Sequence, residues 1–186
     1  MSKPFRPRLF LVALASTILS CTPQGGGSGG RQMAPSPNQL AELEGKKFIT
    51  APGVGGLEGF SQAVKIGKRI YVSGQVGLDN AGAVVGASDL GAQATQAFHN
   101  LQAVLLAAGA TPEDVVDLNF YLVEPSEADL VSVRQAGSIF FPAGKSPAGN
   151  VVGVQSLPRP GLRIAITAVA ETKGLFPDRE ALRRYQ

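Results

Sequence analysis

Two stretches of this 186-residue chain carry apolar residues at helical spacing, and they lie among six short strand-like runs. The first helix is predicted from Leu90 to Ala108 and ends at Gly109, because glycine commonly ends helices. The second helix is predicted to begin after the N-cap residue Ser126. Two helices of this length cover only one face of a six-stranded sheet. We therefore expect an α+β fold, a six-stranded mixed sheet with two helices packed on one face.

The strand-like runs are rich in apolar residues, and turn residues separate several of them. Strands are predicted at 46–50, 60–66, 69–76, 115–123, 150–156 and 162–170. A Gly-Lys pair at 67–68 predicts a hairpin turn between the second and third strands. The predicted element order is therefore β-β-β-α-β-α-β-β. Four apolar residues are expected on the sheet face away from the helices, where they suit contact between subunits: Val152, Val154, Ile164 and Ile166.

The N-terminal segment has the layout of a secretory signal peptide. Lys3, Arg6 and Arg8 precede an apolar run at 9–19. That run is too short to span a bilayer as a helix, which takes roughly 20 residues. It is followed by Cys21, the single cysteine of the chain.

Cys21 follows Ile18, Leu19 and Ser20, a pattern that resembles the bacterial lipobox, in which the cysteine thiol is lipidated. A plain signal peptide with an incidental cysteine is the alternative. A lone cysteine cannot form an internal disulfide, which favours lipidation. We therefore predict an exported protein that is anchored to a bacterial membrane as a lipoprotein, facing the periplasm or the cell surface.

Composition divides the chain into four parts. Residues 1–20 are predicted to be the lipoprotein signal peptide. Residues 21–45 are predicted to hold the lipidated cysteine and a flexible tether rich in glycine and serine. The folded domain is predicted at 46–173, and a polar C-terminal tail at 174–186.

The basic excess of the chain belongs to its first 20 residues. Three of the 17 lysines and arginines lie there, with no acidic residue beside them. The rest of the chain carries 14 residues of each sign, so the net charge of +3 does not belong to the folded domain. A protein that neutralises phosphates needs a basic excess. We therefore expect no nucleic-acid partner.

Several short motifs follow one another along the domain at characteristic spacing. They are Ile70-Tyr71-Val72-Ser73-Gly74-Gln75, Asn100-Leu101, Pro147-Ala148 and Leu157-Pro158. In this order the chain resembles the Rid family, also called the YjgF family, as a lipoprotein-type member. The resemblance implies a chorismate mutase-like fold, a homotrimer with three clefts between subunits, and no cofactor.

The resemblance also implies an activity. Imine deaminases of this family hold the carboxylate of a 2-imino acid with a forked arginine, and a glutamate positions the attacking water. In this chain Gly149 stands at the arginine position, Thr167 at the glutamate position, and Phe60 replaces a tyrosine of the cleft. Glycine cannot hold a carboxylate through a side chain, and threonine is a poor base. Arginine-dependent deaminase activity is therefore predicted to be absent.

The predicted ligand cleft combines segments from across the domain. Its residues are Phe60, Ser73, Gly74, Gln75, Arg134, Gly149, Asn150, Val151 and Thr167. Arg134 on the second helix, or Lys145 in the segment after it, would supply a replacement cation. For Arg134 the alternative is a solvated helix face. Gly74 either allows close approach to the backbone or marks a bulge in a strand.

Other catalytic chemistries find little support in the sequence. His99 is the single histidine and lies one residue off the apolar stripe, so it is predicted at the surface and no metal site is expected. Ser73 is not accompanied by the histidine and aspartate that would activate a nucleophilic serine.

Three functions remain open. The first is binding of a small metabolite in clefts between subunits, without arginine-dependent deaminase activity. The second is an enamine/imine deaminase of the 2-iminobutanoate/2-iminopropanoate type that uses a relocated basic residue. The third is a membrane-anchored trimeric scaffold without a ligand. An open cleft would favour ligand binding, and a filled, apolar cleft would favour the scaffold.

Overall fold

A computed structural model describes residues 45–87, 89–141, 144–173 and 183. The predicted signal peptide and the lipidation site Cys21 lie outside the described residues. The same holds for the tether before Gly45 and for the C-terminal tail apart from Arg183. Among the residues described, no helix is both long and apolar enough to cross a membrane.

Eight main elements follow one another in the predicted order, which is confirmed. They are β1 (Lys47–Ile49), β2 (Ala63–Ile66), β3 (Arg69–Val76), α1 (Leu90–Ala107), β4 (Val115–Val123), α2 (Glu127–Phe140), β5 (Ala148–Val154) and β6 (Ile164–Glu171). Strand β2 begins later than predicted, because the chain before it turns around the side chain of Gln62. That amide accepts a hydrogen bond from the Ala51 N–H and donates one to the Val54 carbonyl. Strand β5 begins two residues earlier than predicted.

The six strands form one mixed sheet in the order β1-β2-β3-β6-β4-β5. Strands β4 and β5 are parallel, and every other neighbouring pair is antiparallel. Parallel neighbours need a crossover connection, which α2 supplies. Strand β5 therefore lies at an edge of the sheet, directly after α2 in the chain.

Both helices begin at residues whose side chains cap them. The Asp89 carboxylate accepts a hydrogen bond from the Ala92 N–H at 3.0 Å, at the start of α1. At the start of α2, the Ser126 N–H donates to the Asp129 carboxylate at 2.9 Å, and the Asp129 N–H donates to the Ser126 hydroxyl at 3.2 Å. This reciprocal pair is a capping box, and it explains why the N-cap at Ser126 could be predicted.

The main core lies between the sheet and α1. The pairing of β4 with β6 places Leu118 beside Ala168 and Leu122 beside Ile164, and all four are buried against the helices. Ile164 and Ile166 were expected on the opposite face, and that expectation is wrong: both are fully buried under the helices. Alternation along a strand shows which residues share a face, but it does not say which face the helices cover.

The sheet face away from the helices is called the open face here. It carries Val152 and Val154, whose partners in register on β4 are Tyr121 and Val123. From β6 it carries the residues that alternate with the buried ones: Ala165, Thr167 and Val169. Part of this face is covered by a second, smaller core of Val76, Leu78 and Leu162.

Two buried amides on α1 hold the loops that surround the sheet. The Asn100 side chain donates to the carbonyls of Val76 and Leu78, each at 2.9 Å. The Gln93 side chain donates to the Gly161 carbonyl at 2.8 Å and accepts from the Arg163 N–H at 2.8 Å. These bonds fix the chain that leads out of β3 and the chain that leads into β6.

Candidate functional site

The residues predicted to form one cleft occupy three places within a single subunit. The first is a recess of about 310 Å³ beside strands β2 and β3, called the strand recess. Its lining residues are Gly56, Leu57, Phe60, Ser61, Gln62, Ser73, Gly74 and Gln75. Phe60 is 77% exposed, so the subunit leaves most of this ring uncovered.

Hydrogen bonds hold the polar side chains of the strand recess. The Ser73 hydroxyl donates to the Ser61 carbonyl at 2.7 Å, and the buried Gln75 side chain donates to the Ser73 carbonyl at 3.0 Å. The Ser73 hydroxyl proton is thus directed to a backbone oxygen rather than to a catalytic base. This arrangement fits a binding wall better than a nucleophile.

Gly74 lies in a strand irregularity. The pairing of β3 with β6 changes register between Val72 and Gln75, which identifies a bulge at this point. A Cβ atom at position 74 would lie 3.8 Å from the Ala165 Cβ, an ordinary contact distance. Within one subunit Gly74 therefore belongs to a bulge, and no backbone crowding requires a glycine there.

The second place is a larger cavity of about 830 Å³ between α2 and the β4–β5 edge, called the helix cavity. Among its lining residues are Arg134, Gly149, Asn150 and Val151. The other lining residues are Phe98, Leu118, Phe120, Leu130, Val133, Gly137, Ser138, Phe141, Gly144, Ser146, Pro147 and Ala148. Arg134 and Gly149 therefore line the same cavity, and Arg134 as a replacement cation stays a prediction.

Gly149 is a glycine for a backbone reason. It pairs with Leu118 in the parallel β4–β5 ladder. A Cβ atom at position 149 would overlap the Leu118 carbonyl oxygen and lie 3.0 Å from the Leu118 carbonyl carbon. No side chain, arginine included, fits there unless β5 moves away from β4.

Two cations were candidates to replace the missing arginine, and the structure separates them. Arg134 is exposed, lines the helix cavity and is the one charged residue among its lining residues. It forms no ion pair within the described part of the chain. Lys145 is also exposed but does not belong to the lining of the cavity.

The third place is a row of polar residues across the open face. Thr167 on β6 is the register partner of Asn119 on β4, and Asn119 is the partner of Asn150 on β5. The Asn150 side-chain amide donates to the Asn119 side-chain oxygen Oδ1 at 3.0 Å, and the Asn119 side-chain amide donates to the Asp117 carboxylate at 2.6 Å. Thr167 is not among the lining residues of the recess or of the cavity.

Sequence reasoning missed Asp117 and Asn119. Both lie in the strand predicted at 115–123, and they alternate with the buried residues Leu118 and Leu122. This alternation was a usable signal, because polar residues at every second position of a strand share one face. The alternation does not give the sheet order, so it could not show that Asp117 and Asn119 lie beside Asn150 and Thr167.

The remaining candidates stay outside these three places. His99 is exposed on α1, as predicted. Among the described residues, no group of three or more histidine, cysteine, aspartate or glutamate side chains is placed to hold a metal ion.

One carboxyl group near α2 has a shifted pKa. The pKa of Asp129 is lowered, first by the hydrogen bond from the Ser126 backbone, then by the Ser126 hydroxyl and by Arg163. The Arg163 guanidinium lies 3.1 Å from this carboxylate and joins the residue directly before β6 to the start of α2. The helix that carries Arg134 is therefore fixed at its N-terminus by charge as well as by capping.

Comparison with known proteins places this geometry in a family. The family model described as endoribonuclease L-PSP matches residues 50–172. A Mus musculus protein named 2-iminobutanoate/2-iminopropanoate deaminase is 34% identical over 131 residues, which cover 70% of this chain and 94% of the relative. The Homo sapiens protein of the same name is 34% identical over 133 residues, covering 70% and 93%.

Solved structures agree with the sequence relatives. A Thermotoga maritima protein superposes with a TM-score of 0.61 at 30% identity, over 69% of this chain and 98% of its own. RidA from an Antarctic Psychrobacter species gives a TM-score of 0.61 at 29% identity, over 68% and 99%. The chain therefore belongs to the endoribonuclease L-PSP family, which is the Rid family that its motifs resemble.

Proposed function

We propose that this protein binds a small metabolite in clefts between the subunits of a homotrimer and lacks arginine-dependent imine deaminase activity. The observation that carries the proposal is at Gly149, where any side chain would overlap the Leu118 carbonyl oxygen. The relatives named as deaminases suggest the ancestral chemistry, and this position argues that the arginine-based form of it has been lost.

The open face supports a trimer. Large apolar side chains lie on it in strands across the sheet: Phe48 is 69% exposed, Ile66 46%, Tyr71 44% and Val152 42%. Several large exposed apolar side chains on one sheet face favour contact with another protein surface. Contact between subunits would also bring the strand recess of one subunit near the polar row of another, which joins the predicted cleft residues.

The open cavities favour ligand binding over a scaffold without a ligand. Both the strand recess and the helix cavity are empty space bordered by polar and apolar side chains. Pockets of roughly 300–1,000 Å³ with a few polar groups are typical of small-molecule sites. Export and lipid anchoring through Cys21 belong to the same proposal and rest on the N-terminal sequence.

One observation favours a second function. Arg134 lines the same cavity as Gly149, so a deaminase with a relocated carboxylate anchor is the alternative. Lys145 is the weaker candidate for that role, because it does not line the cavity. Thr167 leaves such an enzyme without the family glutamate.

The deciding experiment is an imine hydrolysis assay on the purified protein, with 2-iminopropanoate generated in situ. We expect no rate above buffer. A catalysed rate that Arg134→Ala abolishes, and that Arg159→Ala leaves intact, would instead support the relocated deaminase. Arg159 is an exposed loop arginine outside both cavities, so it serves as a charge-matched control.

A further inference from the structure

Most residues that line the helix cavity are apolar. One stripe of α2 lines it, with Leu130, Val133 and Gly137 at helical spacing, and the C-cap residue Phe141 adds to this wall. The ring of Phe98 on α1 forms the back wall. Phe98 packs edge-on against Phe120, with ring centroids 5.9 Å apart, and against Phe141 at 6.3 Å. These aromatic contacts stabilise the wall, because edge-to-face packing is a favoured geometry for aromatic rings.

Two glycines of the lining lie where neighbouring elements approach each other closely. A Cβ atom at Gly137 would lie 3.2 Å from the Phe98 Cζ atom, so the helix approaches the ring as closely as a glycine allows. Gly149, on the strand wall, carries no side chain because of the Leu118 carbonyl. The volume of the helix cavity, about 830 Å³, is far larger than a two- or three-carbon acid requires.

The lining of the helix cavity carries positive charge and no negative charge. Arg134 is the single charged residue among the lining residues, and it lies one helical turn from Ser138 on α2. The other polar lining residues, Ser138, Ser146 and Asn150, are neutral, and the Asn150 side chain is bonded to Asn119 on the open face. A guanidinium binds a carboxylate through two parallel N–H bonds, and no lining carboxylate competes for it.

We propose that the helix cavity binds a monocarboxylate with a large apolar body, such as a medium-chain fatty acid. The carboxylate lies at Arg134, and the apolar body fills the space under α2 against Phe98. This inference rests on the proposed ligand-binding function and adds the class of ligand. The helix cavity is described within one subunit, and it contains four residues of the predicted cleft: Arg134, Gly149, Asn150 and Val151.

Calorimetric titration of the purified full-length protein tests this with four probes: octanoate, butanoate, octanamide and 2-oxobutanoate. Each buried methylene contributes roughly a fourfold gain in affinity. We therefore expect octanoate to bind at least tenfold more tightly than butanoate. Octanamide has the same chain without the charge, and we expect it to bind at least tenfold more weakly than octanoate.

Two pairs of variants locate the site. Arg134→Gln should weaken octanoate binding at least tenfold, whereas Arg159→Gln should leave it unchanged. Ser138→Trp places a large ring at the cavity wall and should reduce octanoate binding. Its neighbour Ile139 is 89% exposed and does not line the cavity, so Ile139→Trp should have no effect. Circular dichroism verifies that each variant is folded.

Each outcome decides the matter. The inference is supported if octanoate binds more tightly than butanoate and octanamide, and if both pairs of variants differ as expected. Equal binding of octanamide and octanoate overturns it, as does equal loss in Ser138→Trp and Ile139→Trp. Binding of 2-oxobutanoate without octanoate overturns this inference and leaves the proposed function standing. If no probe binds, the inference fails, and the proposed function then depends on a wider ligand screen.

Discussion

At Gly149 the backbone of the neighbouring strand determines which side chains the site can carry. Loss of the family arginine could be read from the sequence, but its structural setting could not. The position lies on an edge strand, opposite the Leu118 carbonyl, in a parallel ladder that leaves no room for a Cβ atom. Restoring an arginine there would therefore test the strand pairing as much as the chemistry.

At this position we predict that Gly149→Ala lowers the free energy of unfolding by about 1–3 kcal/mol, because the new methyl group forces β5 away from β4. Gly153→Ala is the matched control. Gly153 lies on the same strand, and a Cβ atom there would meet no atom within 4 Å. Urea unfolding compares the two. Equal stability of the two variants would contradict the crowding at position 149.

Helix α2 carries both an N-terminal cap and the stripe of residues that lines the helix cavity, so the cap helps to position that stripe. Its start is held by the Ser126–Asp129 capping box and by Arg163, the residue directly before β6. The cap could be predicted from Ser126 and the residues that follow it. The bond to Arg163 could not, because 34 residues separate the two side chains along the chain.

The lowered pKa of Asp129 makes this element sensitive to acid. A carboxyl whose pKa is lower in the folded state adds stability above its ordinary pKa of 3.8. That contribution falls as the pH drops below 3.8 through the lowered value. We predict that Asp129→Asn shows a smaller loss of stability between pH 5 and pH 3 than the parent protein, measured by urea unfolding.

Glu127→Gln removes a charge from the same helical turn and serves as the control. It should keep the acid sensitivity of the parent protein. An Asp129→Asn variant that loses stability with acid as steeply as the parent would show that the Ser126 and Arg163 contacts do not act through this carboxylate.

At the scale of the whole molecule, the proposed trimer would assemble through the open face. We predict that Val152→Lys dissociates the proposed trimer, because burying a lysine in an apolar contact is costly. Analytical ultracentrifugation gives the mass, and circular dichroism verifies the fold. Ile139→Lys, on the outer side of α2, should leave the trimer intact. A monomeric parent protein would refute the trimer itself.

The N-terminal segment adds a second whole-molecule prediction. Cys21→Ser removes the thiol that lipidation requires, so the protein should move from the membrane to the soluble fraction. Fractionation of expressing cells, with immunoblotting, measures this. Thr22→Ser is a neighbouring control that keeps the cysteine. If Cys21→Ser remains in the membrane fraction, the lipobox interpretation fails.

Local patterns in the sequence were enough to predict the elements and their order. Helical periodicity and the N-cap at Ser126 act between residues close in the chain, so they can be read without a structure. The fold class followed from the count of helices and strands. The same local logic placed His99 at the surface, whereas the resemblance to the Rid family identified Gly149 as the position of the family arginine.

Tertiary structure alone decided which face of the sheet the helices cover and which residues become neighbours. Ile164 and Ile166 lie under the helices rather than on the open face. The predicted cleft residues divide among the strand recess, the helix cavity and the polar row. Strand order and register bring distant segments together. A pattern along the sequence specifies neither the strand order nor the register. The crowding at Gly149 has the same origin, because it comes from the carbonyl of a neighbouring strand.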